Sequence, residues 1–477
     1  VTPRRILVVG AGDAGRMAVR AMLASPESGF LPVAFVDDDP AKVGTAVEGI
    51  PVLGGSAAIP EALDRSGADE ILIALPSVHG GVIRTVIQTC RRERVRFRIV
   101  PGIWEIIRGD VHIEQIRPVE PEDLLGRETV EPDLELLREA YRGRRVLVTG
   151  AGGSIGRELA RQVLDLAPAS LVLLGRGENS LFESRLALPA APPVPVELAL
   201  VDLRRPDAVR RTLAAARPDV ILHAAAHKHV SFMERAPEEA IQNNVVATRD
   251  LLDLAGEAGT ERFVMVSTDK AVNPRSVMGA SKRVAELLLA GRADPGRRPR
   301  PIAVRFGNVL GSRGSVVPLF LHQIRTGGPI TVSDPEAARY FMTRKEAVLL
   351  VLEAGAMGDG GEIFILEMGE QIRIMDLARD LITLSGLRPE TDIRITLSGL
   401  GAGEKQREDL IHPFEELTST RSPRIRAARR REGENPPVEE AVRRLEALAG
   451  HGDREGIRRE LAALLPEADL GPASAAP

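Results

Sequence analysis

Thr268, Asp269 and Lys270 stand in a row, and a second lysine follows at Lys282. A carboxyl group and an amine side by side can serve as acid and base, and a hydroxyl next to them can hydrogen-bond a reacting oxygen. The full stretch reads Ser267-Thr268-Asp269-Lys270, then Met278-Gly279-Ala280-Ser281-Lys282. Met278 can neither take nor give a proton, so proton transfer here falls to Asp269 and Lys270. Lysine occurs only at Lys42, Lys228, Lys270, Lys282, Lys345 and Lys405, and every other basic residue is arginine. What lysine offers over arginine is a compact ammonium that can titrate. Lys270 and Lys282 read as kept for that property, whereas Lys42 and Lys345 carry no such reading.

The elements that must position these groups can be read around them. An apolar strand at 262–266 runs straight into Ser267, and an apolar helix at 284–290 follows Lys282. Upstream, a strand at 145–149 meets the turn Gly150-Ala151-Gly152-Gly153-Ser154-Ile155-Gly156. Glycines at such a turn let backbone approach a pyrophosphate, and the following helix N-terminus favours its charge. Strands recur at 171–174, 198–201, 220–223, 263–266 and 302–305, the βαβ rhythm of a parallel sheet. Asp202, with Leu203 beside it, is placed to meet an adenine ring. The small run Ala224-Ala225-Ala226 lets backbone lie close to a cofactor.

A separate nucleotide-fold unit precedes this one. Strand 5–9 leads into Gly10-Ala11-Gly12-Asp13-Ala14-Gly15, a helix to about residue 23, and a strand at 33–36 that ends at Asp37. This is a dinucleotide-binding fingerprint. Further strands are expected at 70–75 and 97–100. No acid–base constellation accompanies the unit, so it either binds a nucleotide or is a structural remnant of the fold. A polar connector with the helical pattern Leu134, Leu136, Leu137, Tyr141 joins the two units. The chain closes with a charged tail holding helices at 438–448 and 454–465, read as a solvated amphipathic hairpin, and a disordered end at 471–477.

Composition bounds the class. The 477 residues suggest roughly two to four domains. Hydrophobic and charged contents of 44% and 27% are those of a soluble globular chain. A net charge of −4 gives no reason to expect nucleic acid or an anionic membrane as partner. Cys90 is the only cysteine, which excludes an intrachain disulfide or a cysteine-based metal cluster and fits a reducing cytoplasm. His223, His227 and His229 straddle a strand end and a loop without a completing carboxylate or cysteine, so no metal is expected. There is no signal peptide and no apolar run of about 18 residues that could span a bilayer.

The second unit resembles the nucleoside-diphosphate-sugar 4,6-dehydratases of bacterial polysaccharide biosynthesis, the CapD-type branch of the extended short-chain dehydrogenases. Within that branch it is most similar to the configuration-retaining UDP-N-acetylglucosamine 4,6-dehydratases. The resemblance rests on the turn 149–156, Lys228-His229-Val230, the stretch 267–282 with its methionine, Arg305 through Ser312, Arg339-Tyr340-Phe341-Met342-Thr343, and Gly403-Glu404-Lys405. With the first unit it covers about residues 1 to 420. It implies an α/β fold with two Rossmann-like doubly wound parallel-sheet domains, the second carrying a small C-terminal substrate-binding subdomain. The implied boundaries are 1–117, a connector at 118–144, a catalytic domain at 145–420 and the tail at 421–477.

The chemistry implied is dehydration of a UDP-sugar with tightly bound, recycled NADP or NAD, most simply UDP-GlcNAc to its 4-keto-6-deoxy form; an epimerase, an oxidoreductase or a non-catalytic sugar-nucleotide sensor are the alternatives. The resemblance gives Thr268 the C4 oxygen, Lys270 the C5 proton and Asp269 the departing C6 hydroxyl, with Lys282 on the nicotinamide ribose. Met278 stands where ordinary short-chain dehydrogenases place a tyrosine, and its presence favours retention at C5. Gly150, Gly153, Ser154, Ile155, Gly156, Arg176, Asp202, Leu203, Ala224 and Ala225 are the implied cofactor contacts. Lys228, His229, Asn308, Arg339 and Glu404 are the implied substrate contacts. As a base Lys270 must be neutral part of the time. Moving an ammonium from about 10.4 to about 7 requires roughly 4–5 kcal/mol, expected from burial and nearby Lys282. The strand at 171–174 is followed by Gly175-Arg176-Gly177-Glu178 without an acid for an NAD ribose, so NADP is expected to bind at least as well as NAD. A homo-oligomer is implied, with a cytoplasmic location or one at the cytoplasmic face of the inner membrane. Family members commonly carry membrane helices ahead of the first nucleotide fold, so membrane attachment is expected only through a segment upstream of Val1.

Overall fold

The computed structural model describes residues 3–75, 80–93, 95–100, 117, 119–125, 132–294, 296, 298–430 and 437–471. Of the expected disordered end, all but Gly471 lies outside the described residues, as do residues 118 and 126–131 of the expected connector. The chain forms two compact units. One comprises Val1–Glu131 with Leu319–Val332 and Met375–Thr396; the other comprises Pro132–Pro318, Ser333–Ile374 and Leu397–Pro477.

The first unit is built on four parallel strands, β1 (Arg4–Val9), β2 (Phe30–Val36), β3 (Glu70–Ile73) and β4 (Arg96–Ile99), in the order β2-β1-β3-β4. Helices cover both faces, so β1 and β3 are apolar almost throughout rather than alternating, as buried parallel strands must be. Ile6, Val8, Ala18, Val19 and Phe35 form the core on one side, and Leu7, Val9, Ile59, Ile83 and Cys90 the core on the other. Leu384, from the later segment of this unit, packs on the second of these cores.

The second unit is built on a nine-stranded sheet: β5 (Arg145–Thr149), β6 (Ser170–Gly175), β7 (Val196–Leu200), β8 (Val220–His223), β9 (Arg262–Val266), β10 (Arg300–Arg305), β11 (Ile363–Leu366), β12 (Glu415–Ser419) and β13 (Ile425–Arg430). Their order is β12-β13-β11-β10-β9-β8-β5-β6-β7. Pairing is parallel from β7 to β11, and β13 joins β11 antiparallel. The parallel part therefore has its carboxyl ends on one rim, where loops after β5, β8, β9 and β10 meet. Ligands of open α/β sheets bind along such a rim.

Two features extend the sequence reading. The sheet continues through β12 and β13 to Arg430, past residue 420. The helices Val438–His451 and Arg454–Leu464 are not a solvated hairpin: Val438, Ala441, Val442, Leu445, Ile457 and Leu461 are buried in one apolar cluster with Met278, Val284 and Leu288 of the helix Val277–Gly291. The amphipathic pattern was right, and its apolar face is covered by that helix.

Candidate active site

The turn after β5 is built for a close approach. Gly150 has φ +63°, and a Cβ there would lie 2.6 Å from the Ala225 backbone nitrogen. A Cβ on Gly156 would lie 2.3 Å from the Gly150 carbonyl oxygen. Gly153 donates its N–H to Gly150 O at 2.8 Å, closing the turn, and the helix Ser154–Asp165 starts there without a side-chain cap, its first N–H groups free for an anion. Ser154 Oγ accepts the Arg313 N–H at 3.1 Å, and Ile155 is half-buried on the helix's first turn. Ala224 and Ala225 sit directly across from Gly150. Asp202 accepts from Arg204 through its backbone N–H at 3.0 Å and its guanidinium at 2.7 Å, which hold its carboxyl below the usual range; Arg176 adds to that field. Leu203 is buried beside it. Arg176 itself is exposed just past β6.

Strand β9 delivers the acid–base stretch. Ser267 N–H donates to Val304 O at 2.7 Å and Asp269 N–H to Phe306 O at 3.0 Å, extending the parallel pairing with β10 into the loop. Thr268 Oγ1 donates to Asp269 Oδ1 at 2.9 Å. Asp269 is fully buried, and its Oδ2 has no hydrogen-bond partner among the described residues. Lys270 Nζ lies 3.0 Å from Asp269 Oδ1, 3.4 Å from Asn308 Oδ1 and 3.2 Å from Glu408 Oε1. Burial pushes the Asp269 carboxyl up; Lys270 opposes this and Glu408 adds to it, leaving the net shift upward.

Lys270 departs from its expected titration. Burial lowers its ammonium, but Asp269 and Glu408 outweigh that, and the net direction is upward. Asp269 is the larger of the two raising charges, and Glu408, which sequence reasoning missed, adds to it: a carboxylate only 3% exposed that arrives from a distant loop. The nearby Gly403-Glu404-Lys405 pattern drew attention to Glu404 instead. Glu404 is exposed and its carboxylate accepts the Gly401 N–H at 3.2 Å. Lys405 is buried, with Nζ on Val272 O at 2.6 Å and 3.5 Å from Glu408 Oε2. Arg339, expected at the diphosphate, is anchored in this structure: its Nη atoms donate to the carbonyls of Ala338, Gln406 and Lys405 at 2.8, 2.9 and 2.7 Å, so its fork secures the Glu408 loop.

The helix Val277–Gly291 starts on Ser276, whose Oγ accepts the Gly279 N–H at 3.0 Å. Met278 is 2% exposed and packs in the apolar cluster with the C-terminal helices. Lys282 is 4% exposed; burial pushes it down to about 8, with Glu286 opposing. No hydrogen bond or ion pair reaches its Nζ among the described residues. Below the site, Ser267 Oγ donates to Glu286 at 2.7 Å, and Glu286 shares buried Arg305 and Arg283 with Glu415. Asn244, also missed, lies in a π-helical segment (Ile241–Val246). Its amide donates to Ser281 Oγ and His227 O, both at 3.0 Å, tying the loop after β8 to the Lys282 helix. Asn244 follows Gln242 and Asn243 in the sequence, so its type alone did not mark it out, but π segments of this kind recur at functional sites.

The remaining expected contacts line the same rim. Lys228 Nζ donates to Ser312 Oγ at 3.3 Å, and the His229 ring abuts Gly314, where a Cβ would lie 2.5 Å from Cε1. His223 bonds Thr149 through Nδ1 at 2.7 Å and Thr248 through Nε2 at 3.0 Å; it is a satisfied core histidine, held neutral by burial. In the first unit, Asp37 accepts the Ala11 N–H of its glycine turn at 2.6 Å and lies 3.2 Å from Lys42.

A family model described as a polysaccharide biosynthesis protein matches residues 146–430, and one described as a CoA-binding domain matches residues 2–101. The chain belongs to the polysaccharide biosynthesis protein family. It is 43% identical to the capsular polysaccharide biosynthesis protein CapD of Staphylococcus aureus, over 87% of this chain and 70% of that one. It is 31% identical to an inverting UDP-N-acetylglucosamine 4,6-dehydratase of Campylobacter jejuni, over 57% of this chain and 78% of that one. Among solved structures it is similar to Pen from Bacillus thuringiensis, with a TM-score of 0.55 and 29% identity over 66% of this chain and 99% of that one. The matched region carries the extended short-chain dehydrogenase fold expected from the sequence. Among the described residues, no helix is long and apolar enough to cross a membrane.

Proposed function

We propose that this chain is a nucleotide-sugar 4,6-dehydratase that converts a UDP-sugar, UDP-GlcNAc in the first instance, to its 4-keto-6-deoxy product. The observation that carries the reading is the Thr268–Asp269–Lys270 cluster at the β9 rim, with Asp269 fully buried between two half-buried neighbours and Met278 packed in the apolar core. A site of this kind moves protons through a carboxyl and an amine, an acid and a base such as an elimination uses. Similarity to a UDP-N-acetylglucosamine 4,6-dehydratase supports the same class.

The glycine turn at 150–156 fits a dinucleotide: glycine at Gly150 and Gly156 lets the turn pack tightly on the Ala224–Ala225 backbone and on itself, and the helix that follows starts without a side-chain cap. NADP or NAD would be held there, with Lys282 at its ribose, and would supply the redox half of the reaction at C4 and C6. Thr268 hydrogen-bonds the C4 oxygen. Asp269 takes the C4 hydroxyl proton and delivers a proton to the departing C6 oxygen. Lys270 handles the proton at C5. Lys228, His229 and Asn308 face the sugar nucleotide. Incubation with UDP-GlcNAc followed by mass spectrometry tests the reading. A product lighter by one water supports it, an unchanged mass with altered configuration indicates an epimerase, and binding without turnover indicates a sensor.

A further inference from the structure

Resting on the dehydratase reading, a problem of proton number remains at Lys270. Its amine must be free to remove the C5 proton, yet it lies within ion-pairing distance of Asp269 and Glu408 at 3.0 and 3.2 Å. Asp269 cannot relieve it, because Asp269 takes the C4 hydroxyl proton and must hold it for the C6 oxygen. The other groups around the ammonium cannot serve either. Asn308 is an amide, and Lys405 and Arg339 are cations. Glu408 is left. It is buried, its Oε1 is within hydrogen-bond reach of Nζ, and its Oε2 has no hydrogen-bond partner among the described residues.

We propose that Glu408 takes the proton that frees Lys270, so that the base for C5 is a lysine–glutamate pair. The cycle balances. At rest the three groups are carboxylate, ammonium and carboxylate. Oxidation at C4 by the bound nicotinamide sends the hydroxyl proton to Asp269. The Lys270 Nζ–H bond then breaks as a Glu408 O–H bond forms, leaving the electron pair on nitrogen. Burial pushes the Glu408 carboxyl up, but Lys270, Lys405 and Arg339 outweigh it and hold it below its usual range, so the ion pair is the resting form. Substrate cover removes the water that solvates the two charges and shifts the balance towards the neutral pair. The free amine takes the C5 proton, Asp269 gives its proton to the C6 oxygen, and water leaves. As the nicotinamide is reoxidised at C6, the Lys270 ammonium returns a proton to C5 and takes one back from Glu408. All three groups end as they began, and no outside acid or base is needed.

Glu408→Gln keeps the size and a hydrogen-bonding carbonyl but cannot take the proton. With UDP-GlcNAc in deuterated water, the variant should still oxidise C4, seen as reduced nicotinamide that persists. Incorporation of deuterium at C5 and formation of the 6-deoxy product should fall by about 100-fold or more, and Glu408→Asp should recover part of both. Deuterium incorporation by Glu408→Gln at the wild-type rate would overturn the proposal. So would loss of C4 oxidation in both variants, which would make Glu408 a scaffold residue. Failure of the wild-type protein to form any 4-keto product would instead refute the dehydratase reading itself, and the two failures are therefore distinct.

Discussion

Replacing Lys282 with methionine should make the protein more stable while removing its activity. The Lys282 ammonium is 4% exposed and without an ion pair among the described residues, and burial pushes it from 10.5 down to about 8. A depressed lysine is a net cost to the folded state wherever the amine is charged in both states, which is below about pH 8. The displacement corresponds to roughly 3 kcal/mol. Between pH 8 and about 10.5 the folded amine is already neutral while the unfolded one still binds its proton, so the cost declines as pH rises through that window. Methionine has a similar length and no charge, and Met278 shows that the helix already packs a thioether. The variant should therefore unfold at a temperature about 4 °C higher at pH 7, with the gain shrinking towards zero by about pH 10.5. Thermal unfolding of both proteins across pH 6 to 10, each without added cofactor, measures this. A lower unfolding temperature for Lys282→Met at pH 7, or a gain that does not change with pH, would refute the reasoning.

Asp269→Asn and Lys270→Met should each cut product formation by at least about 100-fold while leaving nicotinamide cofactor binding intact by fluorescence titration; near-wild-type turnover by Lys270→Met would remove it from the mechanism. Met278→Ala should leave most of kcat but lower stability by about 2–5 kcal/mol, because it opens a cavity in the cluster shared with the C-terminal helices; denaturant unfolding followed beside turnover separates the two effects. Arg176→Ala should shift cofactor preference from NADP towards NAD, since a guanidinium past β6 pairs with a 2′-phosphate; unchanged relative affinities by calorimetry would leave it a surface charge.

The sequence carried the parallel strands because buried β-strands between helices announce themselves as short apolar runs, and 145–149 and 220–223 agree with the structure to the residue. It did not carry β13. That strand reads Ile425-Arg426-Ala427-Ala428-Arg429-Arg430, and its arginines resemble a solvated tail, whereas Ile425, Ala427 and Ala428 are buried against the sheet. The acid–base stretch was legible because Asp269 and Lys270 are adjacent on the chain. Glu408 was not, since no periodicity links a loop residue to a strand end across the fold. The direction expected for Lys270 was inverted because the pull of neighbouring Asp269 was left out of the expectation, and Glu408, which only folding brings near, adds to it. Arg339 shows the same limit: its residue type suits a phosphate, and nothing in the sequence says that its guanidinium also holds three carbonyls of the folded loop.

The central claim, an internal redox cycle in which a 4-keto sugar is dehydrated and then reduced at C6, is tested most directly by isotope transfer. UDP-GlcNAc carrying deuterium at C4 should give a product with that deuterium in its C6 methyl group, without accumulation of reduced nicotinamide. Loss of the label from the sugar, accompanied by a steady rise in reduced nicotinamide absorbance, would contradict the account and mark the protein as an ordinary dehydrogenase.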